Sequence, residues 1–229
     1  MENVSPPLSR ELTPRIVFED THLVVLNKPA GLLSQGESTG DVNLVDYLRG
    51  YFGRNYVGLL HRLDRNTSGL MVVAKRSKSA DRLTTALQNG ELIRKYQAWV
   101  QGEVTSPSRW EHMLLKDEKT NIVRVHPNGK KSALKTTPIE NSMMGQTPIT
   151  LLEFELETGR SHQIRVQASS EGHPLVGDLK YGKNLSADTK NFPRPALHSY
   201  WISFPHPMTD ETLTFSEPLP KDMSSLRRR

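Results

Sequence analysis

The chain of 229 residues contains no cysteine. This absence excludes a disulfide framework, a thiolate nucleophile and every zinc site that needs a cysteine ligand. Because chains without disulfides are typical of reducing compartments, we expect the protein to be cytoplasmic.

Long apolar runs are absent as well. No run of 18 apolar residues occurs, and the first 14 residues are polar, include Pro6, Pro7 and Pro14, and lack the apolar segment of a secretory signal. We therefore expect no membrane association, and we interpret residues 1–14 as a flexible leader.

Several chemical motifs are also missing. The sequence has no P-loop, no GxGxxG segment and no G-x-S-x-G around Ser68 or Ser161, which disfavours nucleotide cofactors and a serine hydrolase. The histidines at 162, 173, 198 and 206 lack the helical spacing and the accompanying carboxylates of a metal centre. We predict neither a metal nor an organic cofactor.

Positive charge is present in modest excess, with 30 Lys and Arg against 25 Asp and Glu. Two segments concentrate it: residues 54–82 hold seven basic residues against two acidic ones, and residues 116–135 hold six against two. Local clusters of this kind are typical of surfaces that contact phosphates, so they indicate a nucleic-acid partner. We expect fewer than half of these side chains to touch it.

Short apolar stretches dominate the secondary-structure pattern. Strands are predicted at residues 16–18, 22–26, 57–63, 69–74, 94–102, 121–126, 133–140, 150–156, 196–204 and 211–215. Helices are predicted from an N-cap at Asp41 to Gly53, from a cap at Ser79 to Gly90, and from Ser161 to Gly172. Many strands, few helices and no regular βα alternation predict an α+β fold built on a mainly antiparallel sheet.

The most informative segment is HRLDRNTSG at residues 61–69, a polar loop between two predicted strands. Arg62 and Arg65 flank Asp64, and their charges favour the ionised carboxylate, which could act as an acceptor or a nucleophile. A plain turn between strands is one alternative. A calcium loop is another, but its twelfth position, which requires Glu, is Lys75.

The longer segment HRLDRNTSGLMVVAK resembles the signature of pseudouridine synthases of the ribosomal large-subunit type A family, whose nucleophilic aspartate lies in an HRLD-x-x-[ST]-[ST]-G segment. Other segments similar to family motifs follow in the family's order. They are ED at 19–20 with VLNKPAG at 25–31, KYQA at 95–98, TGRSHQIRV at 158–166, HPLVGD at 173–178, and LH at 197–198 with FPHP at 204–207. The resemblance covers about residues 15–217.

The resemblance implies the domain organisation. We expect one catalytic domain with the pseudouridine synthase fold at residues 15–221 and a basic tail at residues 222–229, in a monomeric protein. Many relatives carry an N-terminal RNA-binding module of the S4 type, for which we expect no room before the catalytic motifs.

The resemblance also implies the reaction, in which uridine in ribosomal or transfer RNA becomes pseudouridine without a cofactor. The N1–C1′ bond breaks, the base turns and a C5–C1′ bond forms. Asp64 is implied to be the nucleophile, Arg165 to pair with it, and Tyr96 to stack on the target base and remove the C5 proton. The sequence leaves three roles for the carboxylate open: attack on the sugar, addition to the base, and assistance to glycal formation.

RNA contacts are implied for further residues. Arg62 would fill the gap that the flipped base leaves in its stack. The other candidates are Lys28, His61, Arg65, Thr67, Arg160, His162 and Gln163. Two positions depart from the family pattern, since Gln167 replaces a usual His and Ser199 a frequent Ala; we expect effects on local packing or RNA contacts only.

Two rival hypotheses remain. The first is a non-catalytic RNA-binding or ribosome-assembly factor with the same fold, which the presence of Asp64, Tyr96 and Arg165 together disfavours. The second is an aspartate-dependent glycosidase or nucleosidase acting on free nucleosides, which the basic clusters disfavour because they favour a polymeric substrate.

Overall fold

The computed structural model describes residues 8–36, 40–53 and 55–227. Residues 1–7 of the predicted leader, Arg54 of the first basic cluster and Arg228 and Arg229 of the predicted tail lie outside the described residues. The chain divides into two compact units, the first formed by residues 1–94 and 199–217, the second by residues 95–198 and 218–229.

Strands outnumber helices along the described residues. The strands are β1 (Arg15–Glu19), β2 (Leu23–Lys28), β3 (Gly58–Leu59), β4 (Ser68–Ala74), β5 (Ile93–Gln101), β6 (Ser108–Asp117), β7 (Ile122–Val125), β8 (Lys130–Met144), β9 (Thr147–Leu156), β10 (Leu197–Pro205) and β11 (Thr212–Ser216). The helices are α1 (Leu44–Phe52), α2 (Ser77–Gln88), α3 (Gln163–Ser170), α4 (Ala187–Lys190) and α5 (Lys221–Ser224). None of these helices is long and apolar enough to cross a membrane.

The sheet of the first unit is centred on β2 and β4. Antiparallel pairs join β1 to β2, β2 to β4, β3 to β4 and β10 to β11. Every residue of β4 is buried, because its sequence SGLMVVA offers only small or apolar side chains to both faces of the sheet. The core consists of Leu23, Val25, Leu70, Val72, Ala74, Leu83, Leu92, Ile202 and Phe204.

The helices of the first unit begin at other residues than predicted. The N-cap of α1 is Asn43, whose side-chain oxygen accepts the N–H of Asp46 at 3.2 Å, so the prediction of Asp41 is wrong. The prediction that α1 ends at Gly53 is confirmed. Ser79, predicted as the cap of α2, is fully buried within the helix, which begins at Ser77.

The second unit holds an antiparallel sheet in the order β5-β9-β8-β6-β7. Its larger core cluster consists of Trp99, Ile149, Leu151, Val176, Phe192, Ala196 and Met223. The predicted α+β class is confirmed. Strand β6 was not predicted, and the strand predicted over 57–63 is limited to β3, because residues 60–67 form a loop.

Residues 222–226, assigned to a tail from the sequence, pack into the second unit. Met223 is fully buried and its carbonyl accepts the indole N–H of Trp99 at 2.9 Å. Asp222 accepts two hydrogen bonds from Arg194, at 2.7 and 3.0 Å. The boundary predicted between residues 221 and 222 thus falls inside α5.

Candidate active site

Asp64 lies in the loop between β3 and β4 of the first unit. Its side chain is partly buried, and its carbonyl accepts the N–H of Thr67 at 3.0 Å, which closes a turn immediately before β4. The turn therefore places Asp64 just before the start of the buried strand β4.

Ser34 fixes the loop on the N-terminal side of the aspartate. Its hydroxyl donates to the carbonyl of Leu63 at 2.7 Å and accepts the N–H of the same residue at 3.2 Å. Ser34 and Leu63 are both buried. A buried pair of hydrogen bonds to one residue's backbone holds that backbone in a single orientation.

Lys28 and Gly31 fix the loop on its other side. The carbonyl of Arg65 accepts the Nζ of Lys28 at 3.1 Å and the N–H of Gly31 at 2.8 Å. Lys28 is fully buried, and its Nζ also donates to the carbonyls of Pro29 and Leu32, at 3.1 and 2.7 Å. In this structure the ammonium group of Lys28, implied as an RNA contact, therefore holds backbone inside the protein.

Gly69 follows the loop at a point of close backbone approach. Its φ of +119° is unfavourable for residues with a side chain, and a Cβ atom there would lie 2.2 Å from the carbonyl oxygen of Ser199. Ser199 is fully buried and its hydroxyl donates to the carbonyl of Leu70 at 3.1 Å. The departure from the family pattern at residue 199 therefore affects packing beside the loop.

His61 supports the loop from inside. It is buried, its Nε2 accepts the N–H of Val72 at 3.3 Å, and burial together with the charge of Arg94 lowers the pKa of His61 to about 3. The imidazole is therefore neutral at pH 7. Thr67 is buried too, with 2% of its surface exposed. Both side chains lack the exposure that the implied RNA contacts require.

The two arginines of the loop are exposed. Arg65 forms a surface ion pair with Asp41 at 2.8 Å, and its Nε donates to the carbonyl of Gly31 at 3.1 Å. Arg62 directly precedes the buried Leu63 in the sequence. Among the residues of the first unit that are implied to contact RNA, these two arginines are exposed to solvent, so a phosphate can reach them.

Tyr96 and Arg165 belong to the second unit. Tyr96 lies on β5 opposite Phe154 of β9 and is 4% exposed. Arg165 lies on α3 and is 8% exposed. Its Nε and one terminal nitrogen donate to the two carboxylate oxygens of Asp178, at 2.7 and 2.8 Å. Sequence reasoning placed Asp178 in a family motif but gave it no role.

The N-terminal end of α3 gathers the other implied site residues of the second unit. His162 adopts a φ of +52°, and its Nδ1 lies 2.6 Å from the hydroxyl of Tyr181. Gln163 is buried: its side-chain oxygen accepts from Thr158 at 2.8 Å and from the N–H of Arg160 at 2.9 Å. The side chain of Gln163, implied as an RNA contact, thus supports this turn, whereas Arg160 is exposed.

Gln167 shows what the other departure from the family pattern does. It is fully buried, and its side-chain nitrogen donates to the carbonyls of Trp110 and Ser132, at 3.2 and 3.3 Å. Gln167 therefore ties α3 to β6 and β8. The sequence predicted that this departure affects local packing or RNA contacts. The buried side chain of Gln167 contributes to local packing.

A charge network covers one face of the second unit's sheet. Lys95, Glu155, Lys135 and Arg109 are in register across β5, β9, β8 and β6. The ion pairs are Lys95–Glu153, Lys95–Glu155, Lys135–Glu155, Arg109–Glu157, Arg109–Glu111 and Lys131–Glu111, at 2.7–3.6 Å. Positive and negative members are equal in number. Lys131 and Lys135, counted in the second basic cluster, therefore add no net charge to this face.

Comparisons with known proteins agree with this fold and these motifs. The model of the RNA pseudouridylate synthase family matches residues 22–170. Ribosomal large subunit pseudouridine synthase D of Vibrio cholerae is 34% identical over 94% of this chain and 70% of its own. YjbO of Bacillus subtilis, an uncharacterized RNA pseudouridine synthase, is 36% identical over 98% of this chain and 80% of its own.

A solved structure extends the agreement to three dimensions. Human RNA pseudouridylate synthase domain containing 1 has a TM-score of 0.77 and 25% identity, covering 93% of this chain and 86% of that one. Fold and motifs together define an RNA-modifying isomerase. The chain belongs to the RNA pseudouridylate synthase family, within its ribosomal large-subunit type A group, and isomerises uridine in RNA.

Proposed function

We propose that this enzyme isomerises uridines in structured ribosomal or transfer RNA with Asp64 as its nucleophile. The observation that carries the proposal is the anchoring of the backbone on both sides of Asp64, by Ser34 at Leu63 and by Lys28 at Arg65. A carboxylate that must form and release a bond to substrate reacts faster from a fixed position, because less reorganisation precedes the reaction. Relatives named for the large ribosomal subunit favour ribosomal RNA as the substrate class.

Tyr96 and Arg165 take the other catalytic roles. The phenol ring of Tyr96 provides a stacking surface and a hydroxyl for removal of the C5 proton. As the family resemblance implies, the guanidinium of Arg165 pairs with the nucleophilic carboxylate and orients it through charge-assisted hydrogen bonds. We propose that residues 15–221 carry the catalytic machinery, with Met223 of α5 completing the core of the second unit, and that the protein acts as a cytoplasmic monomer.

Exposed arginines bind the RNA in this proposal. Arg62 occupies the gap left by the flipped base, and Arg65 and Arg160 bind phosphates. His162, two residues after Arg160, shapes the start of α3. Replacing one phosphate-binding arginine is expected to reduce the log–log salt slope of single-strand binding by roughly 0.7.

Release of tritium from RNA labelled at uracil C5 tests the reaction. Wild-type protein should release tritium from a cellular RNA pool, and Asp64→Asn should release none above background. Asp81→Asn, an exposed aspartate on α2, is the matched control and should behave as wild type. Arg165→Ala should lower the rate by about 10²–10³-fold. Turnover by Asp64→Asn at the wild-type rate would show that Asp64 is not the nucleophile.

The same assay separates the alternative functions. A non-catalytic RNA-binding or assembly factor would retain the labelled RNA on a filter without releasing tritium. A nucleosidase would release uracil from free uridine with its C5 tritium retained, because hydrolysis of the N1–C1′ bond does not touch C5. The exposure of Arg62 and Arg65 beside Asp64 favours a polymeric substrate over a free nucleoside.

A further inference from the structure

Asp178 is a buried carboxylate to which the proposed reaction gives no direct task. It is 1% exposed and follows Gly177, whose φ is +75°. Both of its oxygens bind the same guanidinium, Oδ2 to Nε and Oδ1 to a terminal nitrogen of Arg165. Two parallel hydrogen bonds fix the plane of an arginine head group as well as its place.

Tyr181 constrains the same guanidinium from its face. The Arg165 head group lies 5.0 Å from the centre of the Tyr181 ring. The ring is held in turn, because its hydroxyl accepts the N–H of Val123 at 3.0 Å and lies 2.6 Å from Nδ1 of His162. One short segment, residues 178–181, therefore constrains both the edge and the face of Arg165.

A second arginine–aspartate pair in the same unit serves as a comparison, because its guanidinium also binds backbone carbonyls. Arg194 donates to Asp222 through the same two kinds of nitrogen, at 2.7 and 3.0 Å. Its remaining terminal nitrogen donates to the carbonyls of Pro195 and Leu197, each at 3.1 Å. That guanidinium therefore joins the C-terminal segment to the backbone at residues 195–197.

We propose that Asp178 is a positioning residue, which sets the plane of the Arg165 guanidinium and so holds that guanidinium in the orientation that the proposed reaction requires. The inference rests on the proposed function, in which Arg165 acts on the nucleophile. A buried ion pair is weak support for stability, since its desolvation offsets its attraction. Fixed geometry of a charged group is what such a pair supplies, and catalysis depends on geometry.

The test compares Asp178→Asn with its matched control, Asp222→Asn. Single-turnover tritium release is measured at saturating enzyme, per amount of folded protein. Asp178→Asn should lower the rate about 10- to 100-fold while leaving the dissociation constant for RNA unchanged. Asp222→Asn should leave both quantities close to wild type. Equal rates for the two variants would overturn the proposal.

A double-mutant cycle asks whether Asp178 acts through Arg165. In an Arg165→Ala background, Asp178→Asn should cause no further loss of rate, because the group it positions is gone. The same fold loss in both backgrounds would overturn the proposal, since it would show an effect that does not pass through Arg165.

A measurement without activity separates this inference from the proposed function. The Nε–H of Arg165 should give a slowly exchanging nitrogen-15 NMR signal in wild type that disappears in Asp178→Asn and remains in Asp222→Asn. An unchanged signal in Asp178→Asn would overturn the positioning role even if tritium release is never observed. If Asp178→Asn does not fold, Asp178→Glu replaces it: a shifted signal with a slower rate supports the role, and a shifted signal at the wild-type rate contradicts it.

Discussion

Replacement of Gly69 by alanine is expected to destabilise the first unit strongly. The residue has a φ of +119°, where a side chain adds roughly 1–2 kcal/mol of strain. The new Cβ would also lie 2.2 Å from the carbonyl oxygen of Ser199 and 2.6 Å from its nitrogen, both backbone atoms of a neighbouring buried strand. Overpacking of this kind costs about 1–3 kcal/mol, so the total is about 2–5 kcal/mol.

Gly90→Ala is the matched control for this prediction. Gly90 also has a positive φ, +76°, in the same unit, but a Cβ there meets no atom within 4 Å. Its cost should be limited to strain, reduced by about 0.4–1 kcal/mol because alanine restricts the unfolded chain. Urea unfolding followed by circular dichroism measures both variants. If Gly69→Ala proves no less stable than Gly90→Ala, the close approach to Ser199 is not a constraint in solution.

Three further predictions concern the loop and the charge network. Ser34→Ala leaves the buried backbone of Leu63 without its two hydrogen bonds and should lower the free energy of unfolding by about 1–3 kcal/mol per unsatisfied group, with slower tritium release. His61 is neutral in the folded protein because its pKa is about 3, whereas in the unfolded chain it takes up a proton below its ordinary pKa of 6.5. Its contribution to the free energy of unfolding is therefore complete above pH 6.5 and declines as the pH falls toward 3. Between pH 6.5 and 4 the free energy of unfolding of wild type should fall by about 1.4 kcal/mol per pH unit more than that of His61→Gln, and parallel pH profiles would contradict this. Lys135→Gln should leave the salt slope of RNA binding unchanged, since its charge is already balanced by Glu155, and a smaller slope would show that it binds phosphate.

Local patterns predicted the elements whose residues interact mainly with near neighbours. The apolar run at residues 22–26 and the buried run at 69–74 became β2 and β4, and Gly53 ended α1. The N-cap of α1 was wrong because Asp41 and Asn43 are equally good caps by residue type. The structure selects Asn43 through its hydrogen bond to Asp46.

Local sequence patterns could not predict which residues hold the candidate site residues in place. Lysine is typically a surface cation, yet the fold buries Lys28 against the carbonyl of Arg65, 37 residues away. Asp178 pairs with Arg165 only because the loop after α3 returns to that helix, which no local periodicity encodes. The motifs located Asp64, Tyr96 and Arg165, but they did not show which neighbours hold them.

The division of the chain into two discontinuous units has a consequence for how the protein is made. The first unit needs residues 199–217 to add β11 and most of β10 to its sheet, and the second needs Met223 to complete its core. During synthesis from the N-terminus, neither unit can finish its core until the C-terminal segment has emerged. Long-range closure of this kind slows folding and keeps unpaired strand edges exposed meanwhile. We therefore expect a truncation after residue 198 to impair the folding of both units rather than that of one.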